Sequence, residues 1–171
     1  MVCSVDFSLV VIVAVWRFGE KIMHFYHGTS LTNANNILAG GFKRSDVPSF
    51  TGTGVNLTEC MTISYEYGGY EGGAILKCEV SQSANIIDHD SYHDLDDFFK
   101  ANSHIDGVSL YGGNVVVIWN ADVITKTEIM KADDITHRLH EEFEGGGPNM
   151  AYNGNTQDQF EVFCEAKGWE C

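Results

Sequence analysis

Residues 24–42 read HFYHGTSLTNANNILAGGF, a short aromatic segment followed by a helical pattern. The aromatic content of residues 24–27 predicts a β-strand. Ser30 or Thr32 then caps a predicted helix, because both side chains accept hydrogen bonds from the first free backbone amides. The apolar residues that recur at helical spacing are Leu31, Ala34, Ile37 and Leu38. The Gly-Gly pair at residues 40–41 ends the helix, so this stretch predicts a strand that leads directly into a helix.

Two apolar, β-branched segments give the clearest strand signals further along the chain, residues 74–80 (AILKCEV) and 115–119 (VVVIW). A shorter strand is expected at residues 55–57, and helices are expected at residues 59–67 and 95–100. Short strands with interspersed helices, without regular βαβ alternation, predict an α+β domain rather than a doubly wound sheet. Neither GxGxxG nor GxxxxGKS occurs, so the sequence lacks the usual glycine-rich phosphate loops.

Length and composition fit one folded domain in a reducing compartment. The chain has 171 residues, of which 44% are hydrophobic and 20% charged. Ten Lys and Arg against 24 Asp and Glu give a net charge of −14, which repels phosphate backbones and disfavours a nucleic-acid partner. The five cysteines are scattered and form no CxxC pair, which predicts reduced thiols and a cytoplasmic location.

The sequence divides into three parts. Residues 1–22 contain an apolar run, FSLVVIVAVW, that is shorter than a membrane span and is either a leader or an additional strand. Residues 23–132 form the predicted domain, and residues 133–171 form an acidic C-terminal extension that is expected to pack on it. Within the extension, the acidic run at residues 140–144 is expected to be a solvated helix face. No membrane association is predicted.

The order of motifs from residue 25 to residue 124 resembles the catalytic domain of the poly(ADP-ribose) polymerase-like ADP-ribosyltransferases. The segments that carry the resemblance are YHGTS with the NILAGGF helix, GVNLT at residues 54–58, SYEY at residues 64–67, the strand at residues 74–80, and VVVIWNADVI at residues 115–124. The resemblance implies a split, twisted β core of mixed or antiparallel strands with flanking helices. It also implies that NAD lies in a cleft between the two halves of the sheet.

The resemblance further implies which residues hold NAD. His27 matches the histidine that hydrogen-bonds a hydroxyl of the nicotinamide-side ribose, and Gly28 matches the glycine whose backbone holds the carboxamide. Thr29 completes the HGT motif and belongs to the same binding set. Ser64 matches the serine that completes the carboxamide clamp, and Tyr67 matches the tyrosine that stacks on the nicotinamide ring. Nicotinamide is a planar amide with donor and acceptor groups, which a backbone pair, a hydroxyl and an aromatic face satisfy.

The chain departs from the family at the residue that usually stabilises the reacting ribose. Val115 aligns with the family's catalytic glutamate, and Asn114 immediately precedes it. Asn56 stands where polymerases often carry a second aromatic residue. Three explanations remain open: Asn114 accepts the ribose hydroxyl, a carboxylate from elsewhere reaches it, or the site binds NAD without catalysis. The alternative carboxylates considered are Glu66, Glu71 and Glu128.

The preferred function is an NAD-dependent mono-ADP-ribosyltransferase that transfers ADP-ribose to a protein acceptor and releases nicotinamide, with NAD as substrate. His27, Tyr67 and Asn114 are the predicted catalytic residues, and acidity favours an acceptor with a basic surface. The alternative is a catalytically degenerate module that binds NAD or ADP-ribose. An RNA 2′-phosphotransferase ranks third, because that enzyme needs arginines for phosphate and this chain has only Arg17, Arg44 and Arg138.

No metal is predicted to take part. The segment DHDSYHD at residues 88–94 carries two histidines and three aspartates, but it is interpreted as a strand exit and a helix cap. No third ligand is spaced to complete a metal site with the histidines.

Overall fold

The computed structural model describes residues 23–45, 49, 51–69 and 71–144. Within these residues the chain forms seven strands in two sheets and four α-helices. The strands are β1 (Met23–Ser30), β2 (Val55–Leu57), β3 (Gly73–Val80), β4 (Ile86–Asp88), β5 (Gly107–Leu110), β6 (Val115–Ile118) and β7 (Ile124–Ile129). The helices are α1 (Leu31–Gly40), α2 (Met61–Gly68), α3 (Leu95–Ala101) and α4 (Ala132–Glu144). The predicted α+β class is confirmed.

The apolar segment predicted at residues 1–22 lies outside the described residues, and so does the extension from residue 145 onward. The described part of the acidic extension lies in α4. No helix among the described residues combines the length and the apolar character that a membrane crossing requires.

One sheet has the strand order β1-β3-β7 and is antiparallel throughout. The other has the order β2-β6-β5-β4, and in it only the β4–β5 pair is parallel. An isolated bridge joins the two sheets: Tyr26 N donates to Thr58 O at 2.7 Å, and Thr58 N donates to Tyr26 O at 3.0 Å. The sheets therefore meet where β1 approaches the end of β2.

Local capping explains where α1 and α2 begin. The predicted cap is confirmed for α1, because the Ser30 hydroxyl accepts a hydrogen bond from Asn33 N. Gly41 follows α1 with a φ of 74°, a left-handed conformation that favours glycine. The α2 helix begins after Cys60, whose Sγ accepts from Ile63 N at 3.4 Å.

Three clusters of buried side chains stabilise the arrangement. The first cluster lies between the sheets and comprises Phe25, Ala34, Val55, Leu57, Ala74, Leu76, Cys78, Val80, Val116 and Ile118. The second cluster lies under α3 and comprises Leu95, Phe99, Ile105, Val108, Leu110 and Val117. The third cluster lies under α4 and comprises Tyr26, Met61, Ile75 and Leu139. Alternate residues of β6 therefore face different clusters, as the period of a strand requires.

The segment at residues 115–124 corrects the sequence interpretation. The strand predicted at residues 115–119 ends one residue earlier, at Ile118, and a short 3₁₀ turn (Ala121–Val123) separates β6 from β7 within the segment that carries the resemblance. Asn120 explains the break, because its side chain accepts from Asp122 N at 3.3 Å and donates to Asp106 Oδ1 at 2.8 Å.

Candidate functional site

His27 lies one residue beyond the bridge between the two sheets. Its Nδ1 is 2.8 Å from the carbonyl oxygen of Asn56 in β2. Because a carbonyl oxygen only accepts, Nδ1 carries the proton and donates, which leaves Nε2 as the acceptor of the neutral ring. The ring also packs edge-on against Phe42, with centroids 5.3 Å apart. Asn56 of β2 and Phe42, two residues after the end of α1, thus orient an imidazole ring whose Nε2 can accept a hydrogen bond.

The surroundings of His27 also set its charge. Burial lowers the pKa of His27 below its ordinary value of 6.5, although the Asn56 carbonyl acts in the opposite direction. The imidazole is therefore neutral at neutral pH, and Nε2 is free of a proton there.

The lowered pKa predicts how stability varies with pH. Below pH 6.5 the unfolded chain gains a proton on His27 that the folded chain still excludes, so the free energy of unfolding falls until the folded pKa is reached. Above 6.5 the contribution is fully present. We expect His27→Ala to lack this decrease in the free energy of unfolding as the pH falls below 6.5. Urea unfolding of both proteins at a series of pH values measures the difference between them. If the difference in unfolding free energy between wild type and His27→Ala did not change with pH, the lowered pKa of His27 would be contradicted.

Gly28 presents its backbone polar groups at the edge of β1 that faces β2. Gly28 pairs with Ile75 in β3, but the Ile75 carbonyl accepts from Met130 N at 2.9 Å, on the far side of β3. The Gly28–Ile75 pair is therefore not hydrogen-bonded, and both Gly28 groups point away from β3. Tyr26, two residues earlier, uses its own N–H and C=O on this same edge to bond Thr58. Gly28 thus offers one donor and one acceptor beside His27.

The α2 helix lies so close to β1 that a side chain at Gly28 has no room. A Cβ there would overlap the Ser64 carbonyl oxygen and lie 2.8 Å from Gly68 N. Gly68 is equally constrained, since its own Cβ would overlap the Ala74 carbonyl oxygen. Two glycines therefore allow backbone-to-backbone contact, which brings Ser64 next to the HGT motif.

Ser64 and Tyr67 lie on α2 but have different surroundings. Ser64 is 1% exposed, and its hydroxyl has no hydrogen-bond partner among the described residues. Tyr67 is 61% exposed, so its ring is accessible to a planar ligand. Thr29 is half-buried and accepts from Asn33 Nδ2 at 3.4 Å, so its hydroxyl faces the start of α1. Of these three residues, Ser64 is the one whose buried hydroxyl lacks a hydrogen-bond partner.

Asn114 immediately precedes β6, and Val115 is the first residue of the strand. Asn114 is half-buried and has helical backbone angles, φ −61° and ψ −31°. Val116 pairs with Leu57, so extending the β2–β6 register by one residue places Val115 level with Thr58, which forms the bridge. Its side chain packs against the second cluster, whereas the ring of His27 contacts Phe42 at the first cluster. Val115 and His27 therefore lie in different sheets, and their side chains contact different clusters.

The other carboxylates and Asn56 occupy separate positions. Glu66 and Glu71 are exposed, and Glu128 forms an ion pair with Lys126 at 3.3 Å on β7, which β3 separates from β1. The Asn56 side chain accepts from Thr51 Oγ1 at 2.6 Å and so fastens the loop before β2. No group of His, Cys, Asp and Glu that would suit a metal ion occurs in the described part of the chain.

The sequence did not identify three contributors to this site: the Asn56 carbonyl, Phe42 and Gly68. A backbone acceptor leaves no mark in a sequence, so the role of Asn56 had no signal. Phe42 directly follows the Gly-Gly end of α1, and Gly68 begins a glycine-rich turn, so both carried a weak signal. Neither a scan against protein-family models nor a search of curated proteins finds a match to this chain.

Proposed function

We propose that the chain is an NAD-dependent mono-ADP-ribosyltransferase that transfers ADP-ribose from NAD to a protein and releases nicotinamide. The observation that carries the proposal is the pairing of a neutral His27, whose Nε2 accepts, with the outward N–H and C=O of Gly28. A ribose hydroxyl can donate to Nε2 while the carboxamide exchanges two hydrogen bonds with the adjacent glycine. His27 and Gly28 both lie next to the bridge where the two sheets meet.

Two residues of α2 extend the proposed nicotinamide site. The Ser64 hydroxyl lacks a partner, so a carboxamide oxygen that receives its hydrogen bond removes an energetic cost of the unliganded protein. The exposed Tyr67 ring supplies an aromatic face for stacking. Thr29 supports the site through its contact with the first turn of α1.

The proposed reaction breaks the bond between the ribose carbon and the nicotinamide nitrogen. The electron pair leaves with nicotinamide, and the ribose develops oxocarbenium character before the acceptor attacks and loses its proton. Hydrogen bonds to the carboxamide hold the leaving group, and His27 orients the ribose. Val115 provides no charge, so the half-buried Asn114 is the proposed polar group near the reacting ribose. This uncharged arrangement favours slow, single transfers.

Charge favours a particular kind of acceptor. The net charge of −14 attracts a protein with a basic surface and repels nucleic acids. A cytoplasmic location fits the scattered cysteines, two of which, Cys60 and Cys78, are free and buried in the structure.

The second candidate function is an NAD- or ADP-ribose-binding module without transfer activity. The observation that favours it is the packing of Val115 against the apolar second cluster, since the position aligned with the family glutamate then offers nothing to the ribose. The contacts of His27, Gly28 and Ser64 serve both candidates equally.

Release of nicotinamide separates the two candidates. The full chain is incubated with NAD labelled in the nicotinamide ring, and binding is measured by calorimetry in parallel. We expect binding with slow release, and His27→Ala should weaken binding by about 1–3 kcal/mol, because a buried polar partner is lost. Binding without release supports the module, and absence of binding rules out both.

Ser64→Ala should affect stability and binding in opposite directions. Removal of a buried hydroxyl that lacks a partner is expected to leave the free energy of unfolding unchanged or to raise it by up to about 1 kcal/mol. NAD affinity should fall by about 1 kcal/mol, because the carboxamide loses one hydrogen bond. Urea unfolding and calorimetry measure the two effects. Ser83→Ala, in an exposed turn, is the matched control and should change neither quantity. Unchanged NAD affinity in Ser64→Ala would remove Ser64 from the site.

A further inference from the structure

Glu142 of α4 is a buried carboxylate that contacts the beginning of α2. Only 9% of the residue is exposed. Its Oε1 accepts from Met61 N at 2.6 Å, and its Oε2 accepts from Thr62 N at 3.1 Å and from Thr62 Oγ1 at 3.2 Å. The Cys60 thiol also donates to Oε2, at 3.6 Å. Both carboxylate oxygens are thus committed to the first turn of a helix from a distant part of the chain.

These contacts supply what the sequence around α2 lacks. The first amides of a helix have no partner within it, and a carboxylate satisfies them with charge-assisted hydrogen bonds that the helix dipole favours. The cap residue is Cys60, whose sulfur is a weak acceptor and accepts from Ile63 N. Glu142 therefore provides the strong acceptors for Met61 and Thr62.

The same face of α4 contacts β1. Arg138 lies 3.6 Å from Glu142 Oε1 and interacts with Tyr26, the residue before His27. Burial raises the pKa of Tyr26, and the nearby Arg138 opposes that effect. Leu139, which is 1% exposed, packs with Tyr26 and Met61 in the third cluster. One helix thus contacts both elements that contribute to the candidate site.

We propose that Glu142 is a positioning residue for the candidate NAD site. Its carboxylate fixes the first turn of α2, and that helix holds Ser64 and Gly68 against Gly28. When the carboxylate is removed, the first turn of α2 loses its acceptors, and a smaller fraction of molecules has the arrangement that binds NAD. The apparent affinity falls by that fraction. This inference rests on the proposed function, since it concerns the same site.

The test compares four forms of the full chain: wild type, Glu142→Ala, Glu142→Gln and Glu141→Gln. Glu141 is adjacent on α4, is exposed, and pairs with Arg138 at 3.1 Å, so Glu141→Gln matches the charge change without touching α2. We expect Glu142→Ala to weaken NAD binding about tenfold and Glu142→Gln to weaken it less, because one amide oxygen still accepts. Glu141→Gln should bind NAD as the wild type does.

Hydrogen exchange distinguishes positioning from general stability. In Glu142→Ala the amides of Met61 and Thr62 should exchange faster, whereas the amides of β3 should keep their wild-type protection. Equal acceleration in β3 would indicate general destabilisation and would overturn the inference. Wild-type affinity in Glu142→Ala would overturn it too while leaving the proposed function intact. If the wild type does not bind NAD, the proposed function fails, and this inference fails with it.

Discussion

Gly28→Ala is expected to lower the free energy of unfolding by about 3 kcal/mol, measured by urea denaturation, because the added methyl group meets backbone rather than flexible side chains. The nearest atoms are the carbonyl group of Ser64 and the amide nitrogen of Gly68. Neither can rotate away, so α2 must move as a unit. That movement separates Ser64 from Gly28, and we expect NAD binding by the folded fraction to be lost as well.

Gly40→Ala is the matched control for that experiment. Gly40 is the last residue of α1, and a Cβ there would meet no atom within 4 Å. Alanine also favours helix, so this substitution should be neutral or stabilise the protein by up to about 1 kcal/mol. Wild-type stability in Gly28→Ala would show that β1 and α2 do not approach as closely as described.

Val115→Glu is the second substitution that we expect to lower the stability of the protein substantially. We expect a loss of about 2 kcal/mol in the free energy of unfolding, because the half-buried Val115 side chain packs against the apolar second cluster and a carboxylate there is partly desolvated. We also expect no gain in nicotinamide release, since the Val115 side chain packs against the second cluster, whereas the His27 ring contacts Phe42 at the first cluster. Thermal or urea unfolding and the labelled-NAD assay measure the two quantities.

Asn114→Glu, which introduces the same carboxylate one residue earlier, is the control for Val115→Glu. Asn114 is half-buried and precedes the strand, so a carboxylate there keeps access to water and should leave the unfolding free energy within about 0.5 kcal/mol of wild type. If Val115→Glu instead folds normally and releases nicotinamide faster than wild type, the side chain at residue 115 faces the reacting ribose, and our description of β6 is wrong.

Local signals were sufficient for the elements next to the candidate site. Ser30 capped α1 as predicted, and the strands predicted at residues 74–80 and 115–119 formed as β3 (Gly73–Val80) and β6 (Val115–Ile118). In each case the residues that decide the structure are neighbours in sequence. The helix predicted at residues 59–67 formed at Met61–Gly68, because Cys60 serves as its cap.

The strand extents and pairings that the sequence did not predict depend on distant partners. The β4 strand ends at Asp88, where the sequence was interpreted as a strand exit, but its parallel pairing with β5 was not predicted. The β7 strand reads ITKTEI with mostly exposed side chains, and its pairing with β3 is what defines it. A pattern of side chains does not reveal a partner far along the chain.

Glu142 shows the same limit at the level of a single residue. The sequence predicted that residues 140–144 form a solvated helix face, and for Glu142 that prediction is wrong. An acidic residue on a charged helix is ordinarily exposed, and only the free amides of α2 make its burial favourable. The assignments of His27, Gly28, Ser64 and Tyr67 to an NAD site stay predictions, to be tested by the experiments above.

The cap on α2 also sets an order of events during protein synthesis. Met61 and Glu142 are 81 residues apart, so a ribosome makes the whole of α2 long before it makes the carboxylate that completes the helix. Contacts this distant in sequence form late and slow the folding of small domains. A nascent chain that stops short of α4 would therefore carry the HGT motif and α2 without the cap. The candidate site is therefore capped only after translation has passed Glu142.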